Sequence, residues 1–169
     1  MCEVVKAQSE PAILVGHSMG GISITQTAEN CPDNIRKLVY LIAFLLPNGE
    51  NASQQFEGDT ESLLFSFRVS SEEEGYSTVK DEGIKHVFYA DCSDEDVAWA
   101  KSLVAPQVSA PSRTPVSTTD ENFGRIPRVY FECLQDKCIP PYIQKKMYTN
   151  LPCEKVISME TSHGCPGYS

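Results

Sequence analysis

The stretch Ala12-Ile13-Leu14-Val15-Gly16-His17-Ser18-Met19-Gly20-Gly21 runs from a short apolar segment into a glycine-flanked serine and on into a helix-like sequence. That is the order of a strand, a sharp turn and a helix, with Ser18 at the tip, as in a G-x-S-x-G nucleophile elbow. The geometry accounts for the residue types. A turn this tight presses the positions two before and two after the serine against the neighbouring strand or helix. Gly16 and Gly20 are therefore expected to remove side chains that would collide there, and Gly21 to let the helix pack closely. The turn also leaves the first N–H groups of the helix unpaired beside the serine oxygen, where the helix dipole favours negative charge. The backbone N–H of Met19 is thus a candidate oxyanion donor.

Outward from the elbow the pattern is that of an α/β protein. Glu3 to Gln8 reads as the end of a helix, and Pro11 opens the strand 12–15. A helix over 18–30 is stopped by Cys31-Pro32-Asp33. Lys37-Leu38-Val39-Tyr40-Leu41-Ile42 lacks polar alternation, which predicts a parallel strand covered on both faces. Strand, helix and parallel strand make a right-handed crossover. Residues 43–125 differ: they are rich in Ser, Pro and acids, with scattered aromatics and one helix begun by the capping box Ser93-Asp94-Glu95-Asp96. So long a stretch without a sheet pattern is too much for a loop and predicts an inserted cap. From 126 the alternation returns, with a strand over 128–134, a helix over 141–150 and a strand over 154–159. The expected organisation is a hydrolase core formed by 1–42 and 126–169, carrying the cap 43–125.

A serine nucleophile needs a base, and the base needs an orienting carboxylate. The chain has 3 histidines. His17 adjoins the serine but should point away from it around the turn, and His86 falls in the cap. His163 lies just beyond the last strand, where open parallel sheets place their active groups. Asp136 occupies the equivalent loop after the preceding strand. Ser18, Asp136 and His163 are therefore the candidate triad.

Bulk properties narrow the class. In 169 residues, 14 Lys and Arg face 23 Asp and Glu, a formal charge of −9. No basic patch is available to displace counterions, which argues against nucleic acid or an anionic membrane as partner. The run Glu72-Glu73-Glu74 reads as a solvated face. The 7 cysteines are odd in number and widely spaced, without a C-x-x-C pair. Reduced, mostly buried thiols in a cytoplasmic protein are expected, with no metal site. No segment resembles a signal peptide or a membrane span.

The chain resembles α/β-hydrolases of the small-esterase branch that contains plant methylesterases, hydroxynitrile lyases and bacterial pyrethroid-hydrolase-like carboxylesterases. The likeness is carried by the segments 14–21, 37–47, 122–128 and 132–136, and the order serine, acid, histidine with a long first gap agrees with it. The resemblance implies hydrolysis of a small-molecule carboxylic ester without metal or organic cofactor. Ser18 would attack, His163 would move the proton, Asp136 would hold the imidazole and the Met19 N–H would share the oxyanion. It also implies that the chain corresponds to the C-terminal part of such a fold, trimmed at both ends. Members of that branch carry further strands before the elbow, with a second oxyanion donor, and a helix after the histidine; here Gly164-Cys165-Pro166-Gly167-Tyr168-Ser169 follows instead. Losing one donor costs about 10²–10³ in rate, so an impaired catalyst is expected. Strand 12–15 would be left as an apolar edge open to self-association. Two other functions share the fold: cyanohydrin cleavage, against which Gly164 counts because plant lyases carry lysine after the histidine, and ligand binding by a non-catalytic or inactive homologue.

Overall fold

Four parallel strands in the order β1-β2-β6-β7 carry the fold: β1 (Ala12–His17), β2 (Ile35–Leu41), β6 (Arg128–Cys133) and β7 (Lys155–Met159). The computed structural model describes residues 1–71 and 73–164. Glu72, part of the expected solvated run, and residues 165–169, where the departure after Gly164 was read, lie outside the described residues. Glu73 and Glu74 are exposed. Among the described residues no helix is long and apolar enough to cross a membrane.

Parallel register puts Leu14 beside Leu38, and Tyr40 between Gly16 and Tyr130, all on one face. Helices α2 (Gly20–Asn30) and α7 (Pro141–Asn150) cover that face. The Thr25 and Tyr40 hydroxyls of α2 and β2 are hydrogen-bonded at 2.6 Å, and the Tyr148 ring of α7 meets Tyr130 at 5.4 Å. Leu38, Tyr40 and Tyr130 are completely buried here, with Ile139, Ile143 and Met147. The opposite face, carrying Ile13, Val15, Val39, Leu41, Val129, Phe131 and Ile157, is not buried. Ile13 is 46% and Val15 61% exposed. The expectation that β2 is covered on both faces is thus corrected: both core helices lie on one side of the sheet. The apolar run in β2 reflects one buried row and one half-exposed row.

Between β2 and β6 the chain builds a second layer. It consists of α3 (Leu64–Phe67), β3 (Arg68–Ser71), β4 (Tyr76–Val79), α4 (Asp81–Phe88), α5 (Asp94–Leu103), β5 (Gln107–Val108) and α6 (Ala110–Arg113). The strands form a small antiparallel sheet, β3-β4-β5. This region was expected to hold one helix and no sheet pattern. Its strands of two to four residues, largely Ser, Thr and Val, are too short to show a period. The capping signal was legible: Ser93 Oγ accepts from the Asp96 N–H at 3.1 Å and caps α5. The two ends of 43–125 belong to the main core, where Ala43 to Leu46, Val116 and Phe123 are buried.

The cysteines depart from the reduced state expected. Helix α1 (Cys2–Lys6) packs at the C-terminal end of α2, with Cys2 Sγ 3.7 Å from Thr27 O, and Cys2 is disulfide-bonded to Cys31 with Cα atoms 6.0 Å apart. A separation of 29 residues carries no signal of this proximity. Closing such a loop stabilises by roughly 3–4 kcal/mol in the chain-entropy account. Cys133, Cys138 and Cys153 are free thiols.

Candidate active site

Three loops at the C-terminal ends of β1, β6 and β7 build the site. After β1 the chain turns at Ser18, whose φ of 53° is a left-handed conformation unusual for a side-chain-bearing residue. Gly21 N–H donates to Ser18 O at 3.1 Å, and so does Phe44 N–H, also at 3.1 Å. Phe44 reaches this position because Ile42, just past β2, also takes a positive φ of 48°. Two strained residues thus support one turn, the kind of backbone tension that clusters at functional sites.

The glycines divide the work differently from the sequence expectation. A Cβ on Gly16 would lie 2.7 Å from Gly20 O, so this glycine is sterically required. A Cβ on Gly20 would meet nothing within 4 Å, whereas one on Gly21 would lie 2.3 Å from Phe44 O. The expected collision at Gly20 is therefore corrected. Gly21 is the second glycine the fold needs, because the strand-to-loop segment 42–44 presses on the helix there.

Asp136 and His163 come together as a fully buried pair, His163 Nδ1 to Asp136 Oδ2 at 2.8 Å. The other carboxylate oxygen accepts the backbone N–H groups of Cys138 at 2.6 Å and Ile139 at 3.0 Å. The carboxylate is thereby fixed at both ends. An ionised carboxylate only accepts, so His163 Nδ1 is the donor to Asp136; in the neutral ring that tautomer carries its lone pair on Nε2.

The backbone of the histidine loop is held from two further sides. His17 Nε2 contacts His163 O at 3.0 Å, and the two rings lie 4.9 Å apart. Desolvation, then the neighbouring His163, lowers the His17 pKa below its usual 6.5, while the bond to the His163 carbonyl works the other way. From the second layer, Asp91 accepts from Ser162 N at 2.9 Å and also from Ser162 Oγ. Phe88 O accepts from Ser162 Oγ at 3.1 Å and Gly164 N at 2.6 Å. The Phe88 ring lies 5.6 Å from the imidazole. A Cβ on Gly164 would fall 2.2 Å from the Tyr89 ring, so no side chain fits.

Neither His17 nor Asp91 was expected at the site. His17 was read as pointing away from Ser18, which holds, but its ring crosses to the histidine loop. The predicted Ser18, Asp136 and His163 all lie at the strand ends. Asp136 and His163 are hydrogen-bonded to each other, whereas the Ser18 hydroxyl forms no hydrogen bond to His163. His86 stands apart, stacked on Phe67 at 6.4 Å.

Ser18 and Met19 open into a cavity of about 320 Å³ between the sheet and the second layer. Phe44, Phe56, Leu64, Phe65 and Phe88 give it a largely apolar wall. That size and character suit a small organic ligand. Burial disfavours the thiolate of the nearby cysteines: it pushes Cys133 up to about 11, against its hydrogen bond with Thr161, and holds Cys138 well above its usual value. Among the described residues no group of three His, Cys, Asp or Glu could hold a metal ion.

Residues 2–168 match the model of the alpha/beta hydrolase family. The chain is 29% identical over 185 residues to a pyrethroid hydrolase of Sphingobium wenxiniae, covering 100% of this chain and 62% of that protein. It is 27% identical over 169 residues to methylesterase 1 of Arabidopsis thaliana, covering 93% and 64%. A solved pyrethroid hydrolase from Sphingobium faniae superposes with a TM-score of 0.84 at 26% identity, covering 96% of this chain and 67% of that one. The chain spans less than two thirds of the length of both sequence relatives, and less than half of several others.

Proposed function

The chain belongs to the alpha/beta hydrolase family, and we propose that it is a serine-dependent hydrolase of carboxylic esters in which Ser18, His163 and Asp136 form the triad. The observation that carries this reading is the buried His163–Asp136 pair beside a serine held at positive φ and opening into an apolar cavity. The His163 Nε2 lone pair takes the proton as Ser18 Oγ attacks the ester carbonyl. Asp136 holds the imidazolium that forms. The Met19 N–H, unpaired at the start of α2, donates to the oxyanion. Collapse expels the alcohol, which receives the proton from His163. Water then adds to the acyl-enzyme with His163 again as base, and the acid leaves. The second layer, α3 to α6, acts as the cap that closes the site from water and shapes the ester's surroundings. That relatives include a pyrethroid hydrolase and a methylesterase supports ester chemistry.

Cyanohydrin cleavage is disfavoured. The residue after the histidine is Gly164, packed so tightly on Tyr89 that a lysine has no place there.

A fluorophosphonate probe tests the hydrolase reading directly. The full chain is expected to label, Ser18→Ala to abolish labelling, and His163→Ala to slow it at least about 10³-fold. A cooperatively folded chain that never labels would leave ligand binding without catalysis as the function.

A further inference from the structure

One side chain in the cavity does not match its apolar wall. Arg68 lines it, and its Nε is buried without a hydrogen-bond partner. Among the described residues the Arg68 side chain forms no ion pair. Among the described residues no Asp or Glu lines the cavity to balance it. Val69, the next residue of β3, is exposed, whereas Arg68 is half-buried against the cavity. There it is paired with Val79 of β4, which also lines the cavity.

A guanidinium keeps its charge at any physiological pH, and a desolvated donor left unpaired is costly. The chain has 23 acids against 14 bases, yet among the described residues none of the acids lines the cavity that Arg68 faces. We infer that the cavity accepts esters that carry a carboxylate on the part away from the scissile bond, and that Arg68 binds that carboxylate. The apolar residues between Ser18 and Arg68 contact the intervening methylene chain. Half-esters of dicarboxylic acids have this chemistry. Their ester end meets Ser18, and their free acid replaces the missing counter-charge with a two-pronged ion pair. This assignment rests on the proposed esterase reading of Ser18 but concerns binding, so it can be tested apart from turnover.

The test compares mono-4-nitrophenyl glutarate with 4-nitrophenyl pentanoate, which has the same acyl length without the charge. The full chain is expected to show kcat/KM at least about tenfold higher for the anionic ester. Arg68→Gln should lower that ratio at least about tenfold, with Arg68→Lys retaining part of it. A variant that folds poorly loses both activities together, so the ratio isolates the charge effect. A ratio near unity in the native chain, or one untouched by Arg68→Gln, overturns the assignment. Calorimetry with N-butyl glutaramate and N-butyl pentanamide on Ser18→Ala reads the same preference without chemistry. A charged-ligand preference without turnover of either ester upholds the Arg68 pocket and defeats the hydrolase reading; turnover of both esters without preference does the reverse. Absence of both defeats both.

Discussion

At Ser18 and its flanking glycines, sequence and fold constrain each other most tightly. Gly21→Ala would place a Cβ 2.3 Å from the O of Phe44, a residue anchored by its own N–H bond to Ser18 O. It is expected to cost about 1–3 kcal/mol or more. Gly20→Ala enters open space at the first turn of α2 and should be neutral or stabilising by up to about 1 kcal/mol. Chemical denaturation of the two variants checks the contrast; equal losses would show that the turn is tight at both positions. The Asp136–His163 pairing was legible in the sequence because each residue follows a recognisable strand, and strand ends of a parallel sheet converge; Ser18, after β1, is the third candidate by the same logic. The glycine roles were not separable, since Gly20 and Gly21 are adjacent and only the approach of 42–44 distinguishes them. His17 was missed for a related reason: its contact is to a carbonyl 146 positions away, which side-chain spacing does not encode.

At the scale of elements, the link between α4 and the histidine loop matters most. Four hydrogen bonds tie Phe88 and Asp91 to Ser162 and Gly164. Phe88 also lines the cavity. The second layer thus both lines the cavity and holds the loop of the proposed base. Asp91→Ala is expected to lower kcat for ester turnover by about tenfold, as two bonds to a charged acceptor are lost, with KM little changed. Asp91→Asn should restore most of it, because the amide oxygen still accepts from the Ser162 N–H. A fall in thermal stability with kcat unchanged would reduce the clasp to a structural role. The main strands and α7 were readable from their runs of apolar residues, and α5 from its Ser93 cap. Helix α4 and the strands around it were not, because short elements in a Ser- and acid-rich stretch take their conformation from the layer beneath them.

Taken whole, the molecule is one-sided. Helices α2 and α7 cover one face of the sheet, leaving Val15, Val39, Val129 and Phe131 on the other, and β1 stands at the sheet's edge. Such a face and edge are association sites in water. We propose that the isolated chain self-associates through them. Sedimentation velocity should show a weight-average mass rising with concentration, and Val15→Lys should shift the distribution toward monomer. A chain that sediments as a monomer across the micromolar range would refute this.

The bare face also bears on handling the protein at the bench. A protein with an uncovered oily face behaves like a surfactant: it spreads at air–water boundaries and on plastic. Dilute stocks would lose material to vessel walls, and a trace of mild detergent would recover it.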